Sequence, residues 1–128
     1  MMHQSLVPTD SIWTWEQADG SSLQVSWQCH ADLPGDAQDS SVPAVVLVHG
    51  FGASSHHWRH NLPVLGKQTR TYALDLIGFG ASDQPQALLP GEQPALEQAD
   101  SSQALVYSFD LWGKEVADFC NAVVKSPV

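Results

Sequence analysis

The sequence predicts an α/β fold, because strand and helix patterns alternate along it. Val45 to Val48 is apolar at every position and β-branched at three, a run typical of a strand that is covered on both faces in a parallel sheet. A strand pattern returns at Thr71 to Leu76, and a strand, helix, strand order at this separation indicates a right-handed crossover between parallel strands. An amphipathic helical pattern from Phe109 onward completes the evidence for this class.

Length and composition favour one packed domain. The chain has 128 residues, of which 43% are hydrophobic, and this is enough for a core. It carries 14 Asp and Glu against 5 Lys and Arg, a formal net charge of -9 at pH 7, so a nucleic acid would be repelled and is not an expected partner. Because the sequence shows neither a signal-peptide pattern nor an apolar window long enough to cross a bilayer, we expect a soluble, cytoplasmic protein.

The first elements are expected to form an antiparallel pair. Ile12 to Gln17 and Leu23 to Gln28 have alternating, aromatic-rich character and flank Asp19-Gly20, a dipeptide that favours a hairpin turn. Cys29 and Cys120 lie far apart in apolar patterns, which indicates buried reduced thiols and not a disulfide framework.

The connection between the parallel strands predicts a short, imperfect helix from Ser55 to Leu65. Trp58, Leu62 and Leu65 recur at helical spacing. Pro63 interrupts this pattern or begins a second helical piece.

Two further segments complete the chain. Gln84 to Leu105 holds three prolines and a glycine but no Lys or Arg, a composition typical of a long acidic surface loop. From Phe109 onward we expect an amphipathic helix, with Ser108 as its N-cap and Asp110 near its positive end. Its apolar positions are Phe109, Trp112, Val116, Phe119, Cys120 and Val123.

The candidate site begins directly after the apolar strand, at His49-Gly50-Phe51-Gly52. Glycines there allow a sharp turn that aims peptide N–H groups into the crevice at the carboxyl ends of the strands. Donors held in that place can stabilise an oxyanion. The same glycines could belong to a dinucleotide loop, but the third glycine of that motif is missing.

Four stretches, in this order, resemble the α/β-hydrolase superfamily: WTW, HGFGASSHHWRHNLPVLGK, ALDLIGFGASD and YSFDLWGKEVADFCNAVVK. The two middle stretches are similar to turns that many members share, including the haloalkane dehalogenases. The first and last are similar to one branch, the chlorophyll dephytylase and pheophytinase-like hydrolases of oxygenic phototrophs.

This resemblance implies the roles of the residues in the turn. In the family the loop after the third strand supplies one oxyanion-hole donor, which implies the backbone N–H of Phe51 here. Gly50 and Gly52 would give the turn its geometry, and His49 would support it. Trp58 is close enough in sequence to line the substrate pocket. Neither an organic cofactor nor a metal is implied, since a nucleophile and a general base perform the chemistry.

The resemblance also implies that residues 1–128 are the N-terminal portion of the fold. No G-x-S-x-G elbow occurs in the sequence, so the nucleophile, the acid and the general base are assigned to no residue of this chain. We expect the cap and the catalytic C-terminal half to lie beyond it, and the chain alone to be inactive. In the family's strand order, Val45 to Val48 would then be an open edge.

Three functional interpretations follow. The first is a serine esterase whose substrate is a hydrophobic ester, a phytyl-type ester by resemblance, with peripheral contact to a photosynthetic membrane through that substrate. The second is a dehalogenase-like hydrolase with an Asp nucleophile, which is less favoured because that family has a polar halide-binding residue where Phe51 stands. The third is a non-catalytic, truncated module. The sequence does not indicate an oligomeric state.

Other candidate residues have simpler interpretations. His56 and His60, with His57 between them, have a spacing that could hold zinc, but neither the Glu of the metalloprotease motif nor a third ligand accompanies them. We interpret them as surface or helix-start residues. A second group is expected to shape its own turn: Asp75, Gly78, Gly80, Ser82 and Asp83. The simplest interpretation of four tryptophans is that they make core or layer contacts: Trp13, Trp15, Trp58 and Trp112.

Overall fold

The fold is built on a four-stranded mixed sheet, seen in a computed structural model that describes residues 11–33, 42–85, 87–88, 105–125 and 127–128. The strand order is β1-β2-β4-β3. The strands of this sheet are β1 (Ser11–Glu16), β2 (Ser22–His30), β3 (Val45–Val48) and β4 (Thr71–Leu74). The helical elements are a 3-10 turn (Ser55–Trp58), α1 (Asn61–Leu65), α2 (Phe109–Phe119) and a π-helical turn (Cys120–Val124).

The predicted antiparallel pair is confirmed. β1 pairs with β2 from Ser11 opposite Trp27 to Glu16 opposite Ser22. The hairpin turn closes where the Gly20 N–H donates to the Gln17 carbonyl at 3.0 Å, with Gly20 at φ +90°. Glycine adopts this conformation without steric cost.

The predicted crossover is confirmed as well, since β3 and β4 are parallel along their whole length. The expected cover on both faces of Val45–Val48 is wrong for the described residues: the first three side chains are half-buried and Val48 is 41% exposed. β3 is the end strand of the described sheet, in agreement with the expected open edge, so its side chains have a neighbouring strand on one side only, whereas β4 next to it is buried at every residue. Just before β3, the Ala44 N–H donates to the Pro127 carbonyl at 2.8 Å.

The predicted helix from Ser55 to Leu65 is divided into the 3-10 turn and α1. The Ser54 side chain caps the first piece by accepting from the His56 N–H. Pro63 lies inside α1, in its first turn, where N–H groups have no partner within the helix and proline therefore removes no bond. β4 is shorter than expected and ends at Leu74.

Helix α2 begins as predicted, with the Ser108 side chain accepting from the Leu111 N–H at 3.1 Å and Asp110 in its first turn. Phe109 departs from the expected apolar stripe, since 89% of it is exposed. The cysteines Cys29 and Cys120 are free but only half-buried, so their expected full burial is wrong. Desolvation raises the pKa of both thiols.

The core lies between the four-stranded sheet and α2. Trp15 and Phe119 are buried at its centre, and Trp13 stacks on Trp15 with the ring centroids 5.9 Å apart. The Trp15 indole N–H donates to an Asp118 carboxylate oxygen at 2.8 Å, which links β1 to α2.

Most of the predicted acidic loop, residue 86 and residues 89–104, lies outside the described residues. Its two ends form a pairing that the sequence analysis did not anticipate. Strands β5 (Ala87–Leu88) and β6 (Leu105–Val106) are parallel and form a separate two-stranded ladder.

Candidate functional site

Two turns meet at the carboxyl ends of the parallel strands β3 and β4. One comprises residues 49–52, and the other comprises residues 75–83. Because β3 and β4 are parallel, their carboxyl ends lie at the same edge of the sheet. Ligands bind at this edge in α/β folds.

His49 joins the two turns and is 3% exposed. Its Nε2 lies 2.9 Å from the Leu76 nitrogen, and its Nδ1 lies 2.8 Å from the Gly50 carbonyl oxygen. A backbone N–H can only donate, so Nε2 is the acceptor and Nδ1 carries the proton that is donated to Gly50. Both ring nitrogens of His49 therefore make hydrogen bonds within and between the two turns. The supporting role that the resemblance implies for His49 stays a prediction.

The Phe51 N–H belongs to the peptide that His49 fixes. The Gly50 carbonyl accepts from His49 Nδ1 at 2.8 Å and from the Ala53 N–H at 3.1 Å. Because the peptide unit is planar, two bonds to that oxygen also set the direction of the Phe51 N–H on the opposite side. Within the described ranges no residue accepts from the Phe51 N–H. Gly52 completes the turn at φ +77°.

The second turn is organised by the buried Asp75 carboxylate. Its oxygens accept from the Ser55 N–H at 2.6 Å and from the Ala81 N–H at 3.0 Å. The Asp75 carbonyl accepts from the Ser82 hydroxyl at 2.6 Å. A side chain on Gly80, at φ +57°, would come within 2.5 Å of the carboxylate carbon, so only glycine fits.

The remaining members of the predicted turn group serve the same structure. The Asp83 carboxylate accepts from the Gln24 N–H at 2.8 Å. Gly78, at φ +97°, lies against the Tyr107 ring, where an added Cβ would approach to 2.8 Å. These two contacts reach beyond the turn, to β2 and to the residue before the α2 cap, so they attach the turn to the rest of the fold in addition to the shaping of the turn that was expected.

Glu115 is a residue of this region that the sequence analysis missed. It is fully buried on α2, and its Oε1 accepts from the Ile77 N–H at 2.9 Å. Oε2 has no hydrogen-bond partner among the described residues. Burial raises the pKa of the carboxyl to about 8; the Ile77 bond opposes this rise, and the charge of Asp75 adds to it. The sequence held a signal, since Glu115 lies three residues after Trp112 and four before Phe119, on the apolar face.

An apolar cavity of about 950 Å³ opens beside the Phe51 turn. Its walls come from the end of β3, the turn after β4 and the first half of α2. The lining includes His49, Phe51, Phe79, Tyr107, Phe109 and Trp112. The Phe51 side chain is 90% exposed at the rim.

Trp58 does not line this cavity. Its ring packs edge-on against His57, with the centroids 4.8 Å apart. The buried indole N–H of Trp58 has no partner within the described part of the chain. A pocket role for Trp58 stays a prediction.

The described residues contain no group of three or more His, Cys, Asp or Glu side chains placed to hold a metal ion. His56, His57 and His60 are exposed. None of the helices in the described ranges is long and apolar enough to span a membrane.

Comparison with known proteins identifies several relatives. The family model for the alpha/beta hydrolase fold matches residues 43–123. The chain is 33% identical over 105 residues to a chloroplastic pheophytinase of Arabidopsis thaliana, covering 67% of this chain and 20% of that protein. It is 36% identical over 96 residues to epoxide hydrolase B of Mycobacterium tuberculosis, covering 68% of this chain and 26% of that protein. The chain thus spans about a fifth to a quarter of these relatives.

A solved structure shows the same fold. It is that of a probable hydrolytic enzyme from Pseudomonas aeruginosa PAO1, with a TM-score of 0.59 and 18% sequence identity. The match covers 91% of this chain and 30% of that one.

Proposed function

Because the chain belongs to the alpha/beta hydrolase fold family, we propose that it is the N-terminal part of a hydrolase domain and supplies one donor of that domain's oxyanion hole. The predicted resemblance to this family is confirmed. By full-length protein we mean the complete open reading frame that contains residues 1–128.

One observation carries the assignment of the donor. The Gly50–Phe51 peptide is held by two hydrogen bonds to its carbonyl oxygen, while its N–H has no acceptor among the described residues. A donor that is fixed before the reaction needs no reorganisation when negative charge develops on a substrate oxygen. This is the property that an oxyanion hole requires.

In the proposed reaction a serine of the full-length protein attacks the carbonyl carbon of an ester. The carbonyl oxygen takes up negative charge in the tetrahedral intermediate, and the Phe51 N–H donates to it. In this fold the second donor is the N–H of the residue after the nucleophile. The general base and the acid, like the nucleophile, come from the rest of the full-length protein.

The proposed substrate is a hydrophobic ester, of phytyl type by the similarity to pheophytinase. The apolar cavity beside the Phe51 turn supports this choice, because its aromatic lining suits a long hydrocarbon group and offers few polar partners. Since the Arabidopsis relative is named as chloroplastic, the expected cytoplasmic location stays a prediction.

The test uses the full-length protein with a phytyl ester and with a short-chain ester. Phe51→Pro removes the N–H donor, and Phe51→Ala keeps it while removing the ring. We expect Phe51→Pro to lower kcat by about 10²–10³-fold relative to Phe51→Ala, the usual effect of losing one oxyanion donor. Thermal unfolding of both variants checks that the fold is retained. Equal kcat values in the two variants would reject the assignment of Phe51.

A serine-directed phosphonate distinguishes the nucleophiles. Labelling of the full-length protein, with loss of ester hydrolysis, supports the serine mechanism. Absence of labelling together with halide release from haloalkanes would replace it by the dehalogenase-like mechanism with an Asp nucleophile. Absence of any hydrolysis would favour a non-catalytic module.

A further inference from the structure

Two side chains of helix α2 hydrogen-bond the backbone N–H and the backbone carbonyl of one residue of the second turn, Ile77. Glu115 Oε1 accepts from the Ile77 N–H, and the Trp112 indole N–H donates to the Ile77 carbonyl, both at 2.9 Å. Glu115 and Trp112 are three residues apart and therefore lie on the same face of the helix. Ile77 is fully buried, so its two polar groups depend on protein partners.

The residue before Ile77 makes the contact with the oxyanion turn. The Leu76 N–H donates to His49 Nε2 at 2.9 Å, and Leu76 is 7% exposed. His49 in turn donates to the Gly50 carbonyl, whose peptide carries the Phe51 N–H. Three hydrogen bonds, with the Leu76 backbone between the first two, thus connect α2 to the peptide of the proposed donor.

We propose that Glu115 is a positioning residue, which sets the direction of the Phe51 N–H from the opposite end of this hydrogen-bonded chain. Its carboxyl fixes the Leu76–Ile77 peptide. The Leu76 N–H belongs to the preceding Asp75–Leu76 peptide, so the fixed Leu76–Ile77 peptide acts on it through the Leu76 backbone, which it holds with this N–H towards His49 Nε2. The bond to His49 keeps the His49 proton on Nδ1, facing Gly50. The link to catalysis rests on the proposed function, whereas the link to His49 does not.

The chemistry of the position supports a polar role for Glu115. Its neighbours along the helix face, Trp112 and Phe119, are hydrophobic, and an apolar side chain would fill the site without the cost of burying a carboxyl. An apolar side chain would, however, leave the buried Ile77 N–H without an acceptor. A glutamine would supply the same acceptor and cannot ionise.

The direct test is nuclear magnetic resonance of the full-length protein with three variants. Glu115→Met removes the acceptor, Glu115→Gln keeps it, and Lys114→Met is the matched control at an exposed position of the same helix. The readouts are the ¹⁵N shifts of the His49 ring and the hydrogen exchange of the Leu76 and Ile77 amides.

In Glu115→Met we expect at least about tenfold faster exchange of both amides, together with His49 shifts that move from one tautomer towards a mixture of two. Glu115→Gln should keep the wild-type signature, and so should Lys114→Met. Unchanged exchange and unchanged His49 shifts in Glu115→Met would overturn the proposal, even if that variant unfolds at a lower temperature. If Glu115→Met does not fold, Glu115→Asp, whose shorter side chain withdraws the carboxyl from Ile77, decides between the same two results.

Kinetic measurements on the same variants distinguish a failure of this inference from a failure of the proposed function. If the full-length protein hydrolyses esters, Glu115→Met should lower kcat by at least about tenfold with little change in KM, because the oxyanion exists only after attack. A raised KM with unchanged kcat would contradict the positioning role. If the wild type hydrolyses no ester, the proposed function fails, and the resonance readouts alone decide whether Glu115 positions His49.

Discussion

Replacing Glu115 by glutamine should remove a defined pH dependence from the stability of the fold. Burial raises the pKa of the Glu115 carboxyl from its ordinary 4.5 to about 8 in the folded state. In the unfolded chain this carboxyl is in water and keeps its ordinary pKa. Between the two values the folded state binds one proton more than the unfolded state, so rising pH favours unfolding.

The magnitude follows from the two pKa values. Within this window each pH unit lowers the free energy of unfolding by about 1.4 kcal/mol, the value for one proton. From about pH 5 to about pH 7 the wild type should therefore lose about 2.5 kcal/mol relative to Glu115→Gln. Glutamine retains an acceptor for the Ile77 N–H but has no proton to release. Below the ordinary pKa and above the raised pKa, the two stability curves should run parallel.

Urea unfolding, followed by tryptophan fluorescence at closely spaced pH values, measures this difference. Trp15 is buried beside α2 and gives a suitable signal. Glu16→Gln is the matched control, because it makes the same replacement at an exposed position on β1. If the difference in the free energy of unfolding between wild type and Glu115→Gln stays constant from about pH 5 to about pH 7, the reasoning that burial keeps this carboxyl protonated is refuted.

Three further predictions test the turns and the helix. Asp75→Ala leaves the buried Ser55 N–H and the part-buried Ala81 N–H without their acceptor and should cost at least about 1–3 kcal/mol of unfolding free energy in urea, the penalty for one buried orphan donor; a loss below about 1 kcal/mol would contradict this account. Gly80→Ala should lower Tm more than Gly20→Ala, because both glycines have positive φ but only Gly80 faces a clash; equal shifts would show that the clash relaxes. Ser108→Ala should cost about 0.5–2 kcal/mol in urea and Ser108→Asp much less, and equal losses would argue against a capping role.

The elements that the sequence predicts are those with local signals. The Asp19-Gly20 turn, the apolar run of β3 and the cap at Ser108 each depend on residues close together in the chain, and the structure contains all three. The prediction that both faces of β3 are covered was wrong, because a continuous apolar run indicates a strand but does not indicate which elements pack against it.

Long-range features were harder to predict. The β5–β6 ladder joins two dipeptides at opposite ends of a long segment, and neither dipeptide carries a signal for its partner. Glu115 lay within the apolar stripe of α2, where its charge suggested exposure, but its acceptor role depends on Ile77 in a distant turn. The oxyanion role of the Phe51 N–H, drawn from resemblance, remains a prediction that the geometry supports.

The Asp75 carboxylate also determines how the two turns fluctuate. The carboxylate accepts from the N–H of Ser55, which follows the first turn, and from the N–H of Ala81, within the second turn. If either segment opens, the Asp75 carboxylate therefore loses a hydrogen-bond donor. The amides of Ser55 and Ala81 should therefore exchange with solvent in one cooperative event, although they lie far apart in sequence. We therefore expect the loops at the mouth of the crevice to open as one unit and not independently.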